Sequence, residues 1–67
     1  MLSYINHPET DERKAHTDIM LNNEYIGYYI ILDEVLTAFI EIEREMYAGE
    51  FENIKQLEIK INEVLND

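Results

Sequence analysis

Residues 25–47, YIGYYIILDEVLTAFIEIEREMY, decide how the chain is read. Within them Tyr25, Tyr28, Leu32, Val35, Phe39, Ile42 and Met46 recur at alternating steps of three and four, the seam expected of helices packed lengthwise. The spacing predicts one long helix over 24–47. A second apolar row of Tyr29, Leu36, Ile40 and Tyr47 widens the apolar arc beyond what one partner helix covers. The remaining arc is polar, with Glu34, Thr37, Glu41, Arg44 and Glu45 along it.

Working outward, Asn22 and Asn23 break the pattern, and Asn23 suits the N-cap of a helix opening at Glu24. Gly27 inside a helix costs about 1 kcal/mol relative to alanine, which points to a close approach by another backbone. Gly49 is placed to end the helix as its left-handed C-cap residue. Beyond it a shorter helix is predicted over 51–65, with Phe51, Ile54, Leu57, Ile61 and Val64 inward. Upstream, Pro8 and the acids Glu9, Asp11 and Glu12 suit a helix start, giving a first helix over 10–21 with a thin apolar side of Ala15, Ile19 and Met20. Residues 1–9 read as an irregular arm. Leu2, Tyr4 and Ile5 there can either pack down as a cap or pair as an extended arm. The expected fold is a single all-α domain of three helices.

The lengths do not balance. The central helix would be roughly 36 Å long against about 22 Å and 18 Å for its neighbours, so its Tyr25 to Leu32 half lacks cover. Ile26 and Ile30 fall in line with the polar stripe, so apolar residues surround that half. A two-fold homodimer through Tyr25, Ile26, Tyr29 and Ile30 would bury it and help a small core, unless the surface is kept for a target.

Composition narrows the function. The absence of cysteine excludes disulfides, thiolate metal sites and thiol catalysis, and fits a reducing cytoplasm. Fifteen acids against five bases give a formal charge of -10, spread along the chain with its densest part in residues 23–47. A field of that sign repels nucleic acid and anionic lipid and steers toward basic proteins. No apolar run reaches the roughly 20 residues of a membrane span, and residues 1–7 lack the features of a signal peptide, so a cytoplasmic protein is expected. His7 and His16, even with Asp11 and Glu12, lack zinc-motif spacing and read as surface residues. No phosphate loop or nucleophile elbow is present. Neither catalysis, nor a metal, nor a cofactor is expected.

On a helix, Glu34, Glu41 and Glu45 would lie along one side of a stiff rod, about 6 Å apart at one turn and about 10 Å at two. Asp33 and Glu24 flank them. Such a row, without basic partners four residues on, can imitate part of a phosphate backbone and compete for the arginines and lysines of a DNA-binding protein. These five acids are the candidate partner-binding residues.

Residues Glu12-Arg13-Lys14, Asp18-Ile19-Met20-Leu21-Asn22 and Glu24-Tyr25 resemble a stretch of the AbbA family of small acidic antirepressors, which keep a transition-state regulator off DNA. The likeness spans residues 12–25, after which this chain is far more apolar. It implies a dimeric helical protein that mimics DNA on a basic surface. The combined expectation is a non-enzymatic inhibitor of a DNA-binding protein. The rivals are a small helical assembly module and an antitoxin or immunity protein with a basic partner.

Overall fold

The computed structural model describes residues 1–66. Five antiparallel strands follow in sequential order as one sheet: β1 (Leu2–His7), β2 (His16–Leu21), β3 (Glu24–Leu32), β4 (Val35–Ile42) and β5 (Glu45–Phe51). A single helix, α1 (Ile54–Leu65), closes the chain. The all-α expectation is therefore overturned, and the predicted long helix over 24–47 is two full strands and the start of a third. None of the described helical residues forms a helix long and apolar enough to cross a membrane.

The turns explain the difference. Asn22-Asn23, Asp33-Glu34 and Glu43-Arg44 each connect two strands with only two residues, and all six have positive φ, between 52° and 71°. Positive φ at both central positions is the type I′ geometry, whose twist matches that of the strands it joins. Asn23 is thus a left-handed turn residue and caps no helix. Gly49 lies inside β5 and ends none.

Between these turns the chain alternates with period two. In β4, Leu36, Ala38, Ile40 and Ile42 are buried, while Val35, Thr37, Phe39 and Glu41 point the other way. Register carries the same face across the sheet, for Ala38 pairs with Tyr29 and Gly49, and Tyr29 pairs with Thr17. The β2–β3 register shifts at Ile19/Met20, so Ile26 is an extra residue on β3, and it packs against the core. At the same place Gly27 lies so close to β4 that an added Cβ would stand 2.0 Å from the carbonyl oxygen of Phe39. The close backbone approach read from this glycine is real, but a strand makes it.

Residues 10–21 form a loop and β2, not a helix. Thr10 organises the loop, its hydroxyl accepting from the Arg13 amide at 3.1 Å and its own amide donating to the Arg13 carbonyl at 2.8 Å. Leu2–His7 takes the extended alternative and pairs along β2. The N-terminal amine is tied to the Asn22 side chain at the first turn.

The last helix is where periodicity placed it, beginning at Ile54 instead of Phe51. Asn53 caps it, its side chain accepting from the Gln56 amide at 3.0 Å. Leu57 and Ile61 are fully buried against Ile19, Tyr29, Leu36, Ala38, Ile40 and Ile42, with Val64 beside them. The helix also reaches the edge strand, where the Tyr4 hydroxyl donates to a Glu58 carboxylate oxygen at 2.8 Å. Burial first, then that hydrogen bond and the carboxylate charge, push the Tyr4 phenol well above its ordinary pKa.

Candidate functional site

One helix covers one side of the sheet, and no other described element lies over the second side. Alternation turns Tyr28, Ile30, Phe39 and Ala48 toward that uncovered side, and register sets them next to one another: Tyr28 beside Phe39, and Phe39 beside Ala48. The Tyr28 and Phe39 rings lie 5.3 Å apart at a 31° tilt, half-buried by their neighbours alone. Farther out are Ile5, Tyr25 and Met46, between 48% and 68% exposed. Sheets with one solvated face normally present polar residues there, so this apolar centre marks a surface suited to a partner.

The charged residues of that face are acidic. Asp18 lies beside Tyr28 on β2, Glu41 lies opposite Met46, and Glu50 lies opposite Thr37. Over the face lies the cation of Arg13, whose guanidinium carbon stands 5.9 Å from the Tyr28 ring centroid. Among the described residues the ion-pair contacts are those of the two histidines with Asp18, so no lysine or arginine neutralises a carboxylate at contact distance.

The candidate partner-binding acids are placed differently from the predicted row. Asp33 and Glu34 form the β3–β4 turn, whereas Glu24, Glu41 and Glu45 cluster toward the opposite end of the sheet. The eight residues of β4 separate these ends by roughly 26 Å. Glu41 and Glu45 also fall on opposite faces, since Glu45 pairs with inward-facing Ile42 and accepts from the Tyr47 hydroxyl at 2.8 Å. The straight carboxylate rod does not exist. The four proposed interface residues are likewise divided: Tyr29 is buried under the helix, Ile26 packs against the core, Ile30 lies on the uncovered face, and Tyr25 is exposed near its margin.

A feature not foreseen lies at one edge of the same face. His7 and His16 pair directly across the β1–β2 ladder, and their rings stack with centroids 4.7 Å apart. His7 Nε2 donates to Asp18 Oδ2 at 2.8 Å, and His16 Nε2 lies 3.8 Å from Asp18 Oδ1. In sequence the carboxylates considered beside these histidines are Asp11 and Glu12, and the residues read as surface; the structure places Asp18 against both rings. The signal was His16-Thr17-Asp18, where a step of two puts both ends on one strand face but on different faces of a helix.

No family model, curated protein or solved structure matches this chain. The residues that carry the antirepressor likeness form a loop, β2, the turn after it and the start of β3, so the helical plan that likeness implied is not the plan of this fold.

Proposed function

We propose that this chain is a non-enzymatic acidic binding protein that docks its uncovered sheet face on the basic surface of a DNA-binding protein and so keeps nucleic acid away. The supporting observation is the makeup of the face itself, an aromatic and aliphatic centre whose strand-borne charges are the carboxylates of Asp18, Glu41 and Glu50. Apolar anchors supply contact energy, while Glu41 and Glu50, with no cation at contact distance among the described residues, select a basic partner and repel DNA. A net charge of -10 extends that selection beyond contact range. The competition works through charge sign and a shared site on the partner, not through a copied phosphate spacing.

A second copy of the chain fits this face less well, because face-to-face pairing would oppose carboxylates to carboxylates. Sedimentation at low and high salt tests that point. The face is expected to leave the protein monomeric at low salt.

The function is tested by capture from cytoplasm at low and high salt, followed by DNA competition. The reading expects a basic DNA-binding protein that is released by salt and by DNA, and that Glu41→Lys with Glu50→Lys no longer captures. A captured protein that DNA does not displace, or that the charge reversal still binds, overturns it.

A further inference from the structure

We infer that His7, His16 and Asp18 form a binding site for a borderline divalent metal ion such as zinc, a proposal that does not rest on the partner reading although Asp18 belongs to both. One ring nitrogen of His7, one of His16 and an Asp18 carboxylate oxygen lie within 4.8 Å of one another. Zinc bonds of about 2.0–2.1 Å at tetrahedral angles set neighbouring ligand atoms roughly 3.3 Å apart. The two Asp18 oxygens face the two rings, Oδ2 at 2.8 Å from His7 Nε2 and Oδ1 at 3.8 Å from His16 Nε2, so side-chain turns alone bring one oxygen near that spacing from both nitrogens.

The hydrogen bonding around His16 favours a ligand role over a surface one. Its Nδ1 lies 3.0 Å from the Lys14 carbonyl oxygen, and a carbonyl only accepts, so Nδ1 carries the proton and donates it. In the neutral ring Nε2 is then an unprotonated acceptor, 3.8 Å from the carboxylate oxygen Asp18 Oδ1. A metal ion between two such acceptors would be attracted by both. A backbone carbonyl holding the far nitrogen of a histidine is also the support that fixes metal-ligating imidazoles. The His16 side chain is only 8% exposed, and its ring edge meets Tyr28 at 87° and 6.4 Å between centroids, so its orientation is set by packing.

His7 is the adjustable member, 43% exposed and on the edge strand. On metal binding His7 Nε2 releases to water the proton it now gives to Asp18, Nδ1 takes one up from water so that the ring stays neutral, and the ring turns inward to complete the set. Two imidazoles and one carboxylate suit zinc, cobalt or nickel over the oxygen-seeking magnesium and calcium. With three protein ligands the solvent side stays open to water or an incoming group. The ion would bridge β1 to β2 across the loop of residues 8–15 and fix the sheet edge.

Zinc and cobalt chlorides, added to the metal-stripped chain and followed by calorimetry, cobalt absorbance and histidine ring nitrogen shifts, test the site. The expected result is one saturable equivalent that moves the ring shifts of both histidines, with affinity falling at least about tenfold in His7→Ala and in Asp18→Asn. Asp11→Asn with Glu12→Gln should bind as the parent does, and magnesium should not compete. The site is refuted by absence of saturable binding in the parent chain, by unmoved histidine shifts, or by binding that depends on Asp11 and Glu12 and not on Asp18. Because the parent chain is itself titrated, a variant that folds poorly cannot hide a negative answer.

Discussion

Glycine at position 34 should stabilise this protein. Glu34 is the second central residue of the β3–β4 turn, with φ at 68°, and its side chain is exposed. An L-residue held in the left-handed region costs about 1–2 kcal/mol, which glycine avoids. Against that, glycine loses about 0.5–1 kcal/mol more conformational freedom on folding. The balance for Glu34→Gly is a gain of about 0.5–1 kcal/mol, or roughly 2–8 °C in Tm for a domain of this size. Arg44, with φ at 71°, occupies the matching position in the β4–β5 turn, and the two turns lie at opposite ends of the sheet, so the double substitution should be close to additive. Urea denaturation of Glu34→Gly, Arg44→Gly and the pair provides the measurement. Repeating it at high salt separates the backbone gain from relief of repulsion with Asp33. In a helix interior the same change would cost about 1 kcal/mol, so the two folds predict opposite signs. A loss of that size in both single variants would refute the turn assignment.

Gly27→Ala should be destabilising by about 3 kcal/mol or more, because the new Cβ meets the backbone of Phe39 and Ile40, which cannot move without breaking the β3–β4 ladder; thermal melts provide the check, and a neutral outcome would contradict the strand register. Tyr4 holds its proton more tightly in the folded protein than in the unfolded chain, so its contribution is intact below the ordinary phenol value near pH 10 and is lost as pH rises above it. Tyr4→Phe should flatten the loss of stability above that pH, at the cost of the Glu58 hydrogen bond at neutral pH, as a pH series of denaturation curves would show. Asn53→Ala removes the helix cap and should cost about 1 kcal/mol, with Asn53→Asp retaining most of it.

Some elements of this fold are legible in the sequence and others are not, for physical reasons. Helix α1 is legible because its apolar residues are sparse enough for one period alone to fit: Leu57, Ile61 and Val64 make a stripe, and the positions between are polar apart from the exposed Ile59. Gly27 was legible as a contact point because the lack of a side chain has the same meaning in either backbone. Residues 25–47 were not, since apolar residues there are so dense that steps of three and four can be found in strands that truly alternate. The uncovered face adds to this density by keeping Tyr28, Ile30 and Phe39 where a solvated sheet would show polar side chains. Tyrosines and isoleucines packed as closely as Tyr28-Tyr29-Ile30-Ile31 favour strand, and that propensity was outweighed by an apparent seam. Asp33-Glu34 and Glu43-Arg44 contain no glycine, so type I′ turns were hidden in pairs that look like a helix surface.

The candidate site was hidden for the same reason. Once Glu34, Glu41 and Glu45 were set on a helix their spacing implied a row, whereas two-residue turns send the chain back and forth and disperse them to both ends and both faces. His7, His16 and Asp18 come together only when β1 and β2 are paired in register, which a helix over residues 10–21 forbids. The acidic balance is independent of fold, and it is this part of the functional reading that carries over.

Residues 25–47 run as paired strands with one face open. Nuclear Overhauser contacts report it directly. The sheet predicts close contacts between the backbones of Tyr29 and Ala38 and of Phe39 and Ala48, with slow amide exchange along β3 and β4. Contacts between residues three and four apart throughout 25–47, without those cross-strand pairs, would contradict it.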